Sequence, residues 1–126
     1  PWNVLFGESD KMTLLDRSRG PWGEPVDDVG AMDINYVFFS LRAHGRLAGT
    51  FQELHQRFWD VYLSNTADTE ILEVAPLFYV WRALVLAHPW WYPDLSTQTR
   101  TTLLHFIDAM LDCDRFEPEA INTYLG

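Results

Sequence analysis

The sequence is short of the residues that staple a fold, carry positive charge or cross a membrane. One cysteine, Cys113, excludes an internal disulfide framework. A reducing compartment, the cytoplasm, is the expected location. Lys11 is the only lysine, and eighteen acids against nine bases leave a net charge of −9. Nucleic acids and anionic membranes attract clustered Lys and Arg, so neither is an expected partner. The most apolar stretch, Ile71 to Ala87, is interrupted by Glu73, Pro76 and Arg82. It reads as a buried helix, not a membrane span. Pro1-Trp2-Asn3 offers neither the basic start nor the apolar stretch of a signal peptide. With no initiator Met, and opening inside what reads as a strand, the chain is expected to be a piece of something longer.

Several chemistries lack their residues. His44, His55, His88 and His105 show no H-x-x-x-H or H-E-x-x-H spacing, and a single Cys cannot build a zinc site. Cys113 stands between Asp112 and Asp114, whose charge disfavours a thiolate. No G-x-S-x-G or Walker sequence occurs.

What is present is hydrophobic and aromatic. Of 126 residues, 48% are hydrophobic and 15% aromatic, enough to build one core and too much for disorder. Residues 1–126 are read as a single domain, with a hairpin and loop over 1–25 and a helical part over 26–126. The apolar runs Trp2–Phe6 and Met12–Leu15 flank Gly7-Glu8-Ser9-Asp10, which is turn chemistry, so two strands are expected to form a hairpin. Two strands alone are marginal, and the hairpin is expected to pack on the helices. An irregular loop over 16–25, held at its middle by Trp22, leads into the helical part.

The first helix is expected over Val26–Ala43, central and apolar almost all round, with Val29, Met32, Tyr36, Phe39 and Ala43 in step and Gly45 beyond its end. Thr50-Phe51-Gln52-Glu53 reads as a capping box opening a second helix to about Ser64, with Leu54, Phe58, Val61 and Tyr62 inward. A third runs from Asp68 or Thr69 to His88, with Pro76 predicting a kink or break. Asp94 or Ser96 caps a fourth to Leu111, with Leu103, Leu104, Ile107, Met110 and Leu111 as its stripe; Glu117-Pro118 opens a short last one. The fold class is α+β and predominantly α-helical: a short hairpin, then about five packed helices.

Asn3 sits inside the first apolar strand and Asp16 ends the next, thirteen positions on, so a hairpin can bring both side chains to one end. An amide oxygen and a carboxylate brought together there suit Mg²⁺, a hard cation that takes oxygen ligands. As turn formers bonding nearby backbone they would be equally at home. Trp90-Trp91-Tyr92 could stack on a ligand, or wedge a loop between two helices. Acids such as Asp33, Glu70, Glu73 and Asp94 could receive a cationic ligand, or simply be solvated.

Pro1-Trp2-Asn3-Val4-Leu5-Phe6 resembles the end of the H-G-D-x-H-P-x-N catalytic loop of aminoglycoside phosphotransferase and choline-kinase-like enzymes. Leu14-Leu15-Asp16 resembles their metal-binding strand end, and Gly23-Glu24-Pro25-Val26-Asp27-Asp28-Val29-Gly30 their G-D-P-x-x-D-L-A segment. The three stand in order within residues 1–30; the other 96 are compatible with the helical remainder of that C-terminal lobe. The resemblance implies an ATP- or GTP-dependent phosphotransferase acting on a hydroxyl of a small, aminoglycoside-like or amino-alcohol acceptor. It implies Asn3 and Asp16 as Mg²⁺ ligands and Asp28 as a brace of the catalytic loop. Trp90, Trp91, Tyr92 and Asp33 become candidate acceptor residues. The catalytic Asp and the nucleotide lobe would lie upstream of Pro1, so the 126 residues alone would be inactive and would self-associate through the face left by that lobe. Arg17 and Arg19 after the metal Asp depart from the family. They either contact phosphate or pair with Asp27 or Glu24, and Arg17 suggests a pseudokinase. A non-catalytic helical binding module is the alternative.

Overall fold

The computed structural model describes residues 3–15, with Asp10 by its backbone alone, and residues 22–126. Strand β1 (Val4–Phe6) pairs antiparallel with β2 (Met12–Leu14), Val4 opposite Leu14 and Phe6 opposite Met12. Five helices follow: α1 (Pro25–His44), α2 (Gly49–Thr66), α3 (Ile71–Ala87), α4 (Thr97–Leu111) and the short α5 (Ile121–Leu125), entered through a 3₁₀ turn over Pro118–Ala120. This is the mainly helical α+β layout expected. α3 lies between α1 and α4, α2 packs on α1, and α5 packs on α4.

The hairpin corrects one expectation. None of its described side chains enters the core, and Leu5, Phe6, Met12, Leu14 and Leu15 are exposed. Its turn closes through Gly7 N–H donating to the Lys11 carbonyl at 2.7 Å, with Ser9 in the left-handed region. Trp22, expected to hold the following loop, is 91% exposed.

α1 is central but not on the face its apolar spacing suggests. Val26, Gly30, Asp33, Ile34, Val37, Phe38, Ser40 and Leu41 are buried. Tyr36 and Phe39 lie on the half-buried side, where they meet Phe58 and Phe51 of α2. Gly45 ends the helix at φ 71°, donating its N–H to the Leu41 carbonyl, as a C′ glycine should. The capping box does not form. α2 starts at Gly49 without a side-chain cap, because Ser40 fixes the preceding loop: its Oγ donates to the Arg46 carbonyl and accepts from Ala48 N–H. α2 buries His55 and Trp59, whereas Leu54 and Val61 are exposed. Phe58 and Tyr62 pack at the core's edge, as expected.

Pro76 does not break α3, which runs unbroken through it. A proline at this position leaves the Leu72 carbonyl without its helical donor. Phe116 N–H donates to that carbonyl instead, at 2.8 Å. The missing bond is thus replaced by one that ties the C-terminal segment to α3. Phe116 itself is fully buried against Tyr79, with ring centroids 4.8 Å apart, and against Trp59 at 5.6 Å. Ser96 caps α4 by accepting from Thr99 N–H. Leu103, Phe106, Ile107 and Met110 are buried there, while Leu104 and Leu111 stay exposed. Asn122 of α5 grips Leu47 by both backbone groups, at 3.2 and 3.1 Å.

The polar centre of the core joins four segments. Asp33 (α1), His55 (α2) and Tyr79 (α3) are each fully buried. His55 Nδ1 lies 2.8 Å from Asp33 Oδ1, and His55 Nε2 lies 2.8 Å from the Pro118 carbonyl. Tyr79 Oη–H donates to Asp33 Oδ2. A carbonyl only accepts, so Nε2 carries a hydrogen; with Asp33 ionised its carboxylate accepts from Nδ1–H as well, and the ring is then an imidazolium. Burial alone would lower the His55 pKa, but the Asp33 hydrogen bond and charge, with the Pro118 carbonyl, leave it raised above 6.5. Burial, then the neighbouring carboxylate, pushes the Tyr79 phenol well up.

Two predictions follow from this centre. Asp33→Ala strands a buried cation and should cost about 3–5 kcal/mol in urea unfolding, against about 1.5–3 kcal/mol for Tyr79→Phe. A raised folded pKa gives His55 a contribution that is whole below its unfolded value near 6.5 and is lost as pH climbs through the folded value. The urea midpoint should therefore fall with rising pH above about 6.5, and that slope should flatten in His55→Gln.

Candidate functional site

The residues singled out by the sequence fall in three places. Asn3 ends the hairpin and is exposed; its carbonyl accepts from Leu15 N–H at 2.8 Å, which continues the ladder one step beyond Val4 and Leu14. Asp16, Arg17 and Arg19 lie outside the described residues.

The second place is the start of α1. Pro25 occupies the first turn, where a missing N–H costs nothing, and Asp27 and Asp28 add two carboxylates at the positive end of the helix dipole. Asp28 is exposed. Asp27 is gripped from α3: Arg82 Nη2 donates to its carboxylate at 2.5 Å and to its backbone carbonyl at 3.3 Å. An ion pair at the surface between these elements fixes α1's first turn against α3. The sequence shows Arg82 only as a charge inside an apolar run; such a charge needs an internal partner, and that was its signal.

The third place is the loop after α3. Tyr92 is a wedge, its ring edge-on to Phe38 at 4.9 Å. Trp90 and Trp91 point to solvent, 81% and 65% exposed. Arg100 of α4 holds this loop from beneath: it donates to the Ala87, Tyr92 and Leu95 carbonyls. A guanidinium at the carbonyl end of α3 also complements that helix's dipole. The loop thus presents two indoles from a fixed base, which suits a flat or cationic ligand.

Asp33 belongs to none of these surfaces. Both its oxygens are engaged in the core by His55 and Tyr79, so it stands where no acceptor reaches it from solvent. Glu73 is paired with Arg115 at 3.0 Å. Cys113 donates to the Arg115 carbonyl at 3.0 Å.

Comparison with protein-family models, curated proteins and solved structures found no match to the chain.

Among the described residues, no three of His, Cys, Asp and Glu gather where a metal ion could be held. No described helix is long and apolar enough to cross a membrane. Two surface depressions lie away from the three places. One, of about 560 Å³, is formed by α2 and residues 115–119; the other, of about 500 Å³, surrounds the 45–49 turn.

Arg100→Met removes a charged donor from three carbonyls and should cost about 1.5–3 kcal/mol in urea unfolding, with faster amide exchange over residues 88–95. Trp91→Ala, at an exposed position, should stay within about 0.5 kcal/mol of the parent.

Proposed function

We propose that the chain is most of the C-terminal lobe of an aminoglycoside-phosphotransferase-like small-molecule kinase, working in the cytoplasm. The observation that carries this is the order of three features: Asn3 at the end of a hairpin, Asp16 thirteen positions on, and Asp28 in the first turn of the first long helix. The helices behind them fit the same lobe. A side-chain amide and a carboxylate are hard oxygen donors of the kind Mg²⁺ prefers, and the exposure of Asn3 leaves its amide accessible. With ATP or GTP bound, Mg²⁺ would supply charge neutralisation on the phosphates during transfer to an acceptor hydroxyl.

In this reading Asn3 and Asp16 are the metal ligands, and Asp28 braces the loop that bears the catalytic Asp, which lies outside these 126 residues. Arg82 supports Asp28 from behind by holding the neighbouring Asp27. The fixed indoles of Trp90 and Trp91 would meet the acceptor. The exposed apolar side chains of the hairpin are what the nucleotide lobe would cover, and in its absence that face would self-associate.

A non-catalytic binding module remains the second reading, favoured by the exposed apolar side chains of α3. Metal–nucleotide dependence separates the two. In the full-length protein, Asn3→Ala and Asp16→Ala should each lower phosphoryl transfer by about a hundredfold or more, with the circular dichroism spectrum unchanged. Turnover that survives both substitutions would refute the kinase assignment.

A further inference from the structure

The sequence marks Ile71–Ala87 as a buried helix, yet α3 is buried on one side only. Val74 is 37% exposed, Leu77 68%, Trp81 61% and Leu84 47%. Their spacing of three, four and three residues is that of a coiled-coil seam, so all four share one stripe. Continued by four residues each way, the stripe begins at Glu70 and ends at His88, both exposed. The other acid on this side of α3, Glu73, is already paired with Arg115.

From this seam we infer that the chain forms a symmetric dimer in which α3 packs antiparallel against α3 of a second copy. The seam is self-complementary in that sense alone. A two-fold axis level with residue 79 sets Leu77 against the partner's Trp81 and Val74 against the partner's Leu84. The same axis sets Glu70 against the partner's His88 at both ends. Parallel packing would instead set Glu70 against its own copy. His88 is prepared for this contact: its Nδ1 accepts from Trp90 N–H at 3.2 Å, which puts the ring hydrogen on Nε2, free to donate outward.

Allowing about 250 Å² for a whole Trp and somewhat less for Leu and Val, the exposed fractions of the four seam side chains amount to roughly 400 Å². That is about half of what one partner buries in a standard interface, so the dimer is a weak one that dissociates on dilution. The net charge of −9 opposes association in general, but of the stripe's own residues only Glu70 is acidic. An isologous contact of this kind closes on itself and stops at two.

The test is molar mass by light scattering over a dilution series. Every chain carries Phe6→Lys and Met12→Lys, on one face of the hairpin, to silence that surface. The expected result is a dimer that Leu77→Glu, and separately Leu84→Glu, weakens about a hundredfold or more, with unchanged circular dichroism. Both positions face solvent in the monomer, so the fold should persist in each. Glu70→Arg should weaken the dimer, and Glu70→Arg with His88→Glu should restore it. A monomer at every concentration would overturn the inference, as would a dimer indifferent to both Glu variants. Weakening by Glu70→Arg without rescue by the swap would overturn the antiparallel arrangement.

Discussion

The structure depends on one buried carboxylate. Asp33 has no access to water, and its two oxygens are shared between the His55 ring and the Tyr79 phenol. Through them it binds α1 to α2 and α3, and the far side of the His55 ring carries the connection on to the Pro118 carbonyl. Desolvating such a pair is expensive, and only full hydrogen bonding on both partners compensates. Both Asp33 oxygens and both His55 ring nitrogens are accordingly engaged. The geometry leaves little freedom in how the three helices rotate, since any turn of one would break a bond to another. The apolar and aromatic contacts around it, Tyr79 with Phe116 and Trp59 with Phe116, supply bulk attraction but tolerate more than one arrangement.

The same residues explain where sequence and structure part. The number, order and approximate ends of the helices were legible, because Gly45, Ser96 and Pro118 punctuate the chain with ordinary capping chemistry. The inward faces of α1 and α2 were not. Their buried sides include the polar Asp33, Ser40 and His55, which interrupt the apolar pattern, so the half-buried sides looked like the core. Ser40 misled similarly: by fixing the 45–48 loop it sets the start of α2, which the Thr50–Glu53 pattern places two residues too late. Pro76 read as a kink or break because the donor that replaces its missing N–H at the Leu72 carbonyl, Phe116 N–H, lies forty residues beyond the proline. α3 looked buried because it is apolar all round, and periodicity alone does not tell a covered face from an open one.

The candidate site was legible to a different degree in each part. Asn3, expected inside a strand, lies just before β1, and Asp28 lies in the first turn of α1; both are exposed. Of the aromatic triplet, Tyr92 took the structural role while Trp90 and Trp91 kept their faces open. Long-range partners carried no local signal: Arg82 with Asp27 spans 55 positions, and Arg100 reaches back to the loop it supports. The frame fixed from within by Asp33 carries exposed apolar side chains on its hairpin and on α3.

The protonation state of His55 bears most directly on this picture. Side-chain ¹⁵N NMR of the imidazole at neutral pH reads it without altering the protein. An ion pair with Asp33 predicts two protonated ring nitrogens, with slowed exchange of both hydrogens because the ring is sealed from solvent. A neutral ring with one bare nitrogen would contradict it, and the core would then be organised by packing and not by the buried carboxylate.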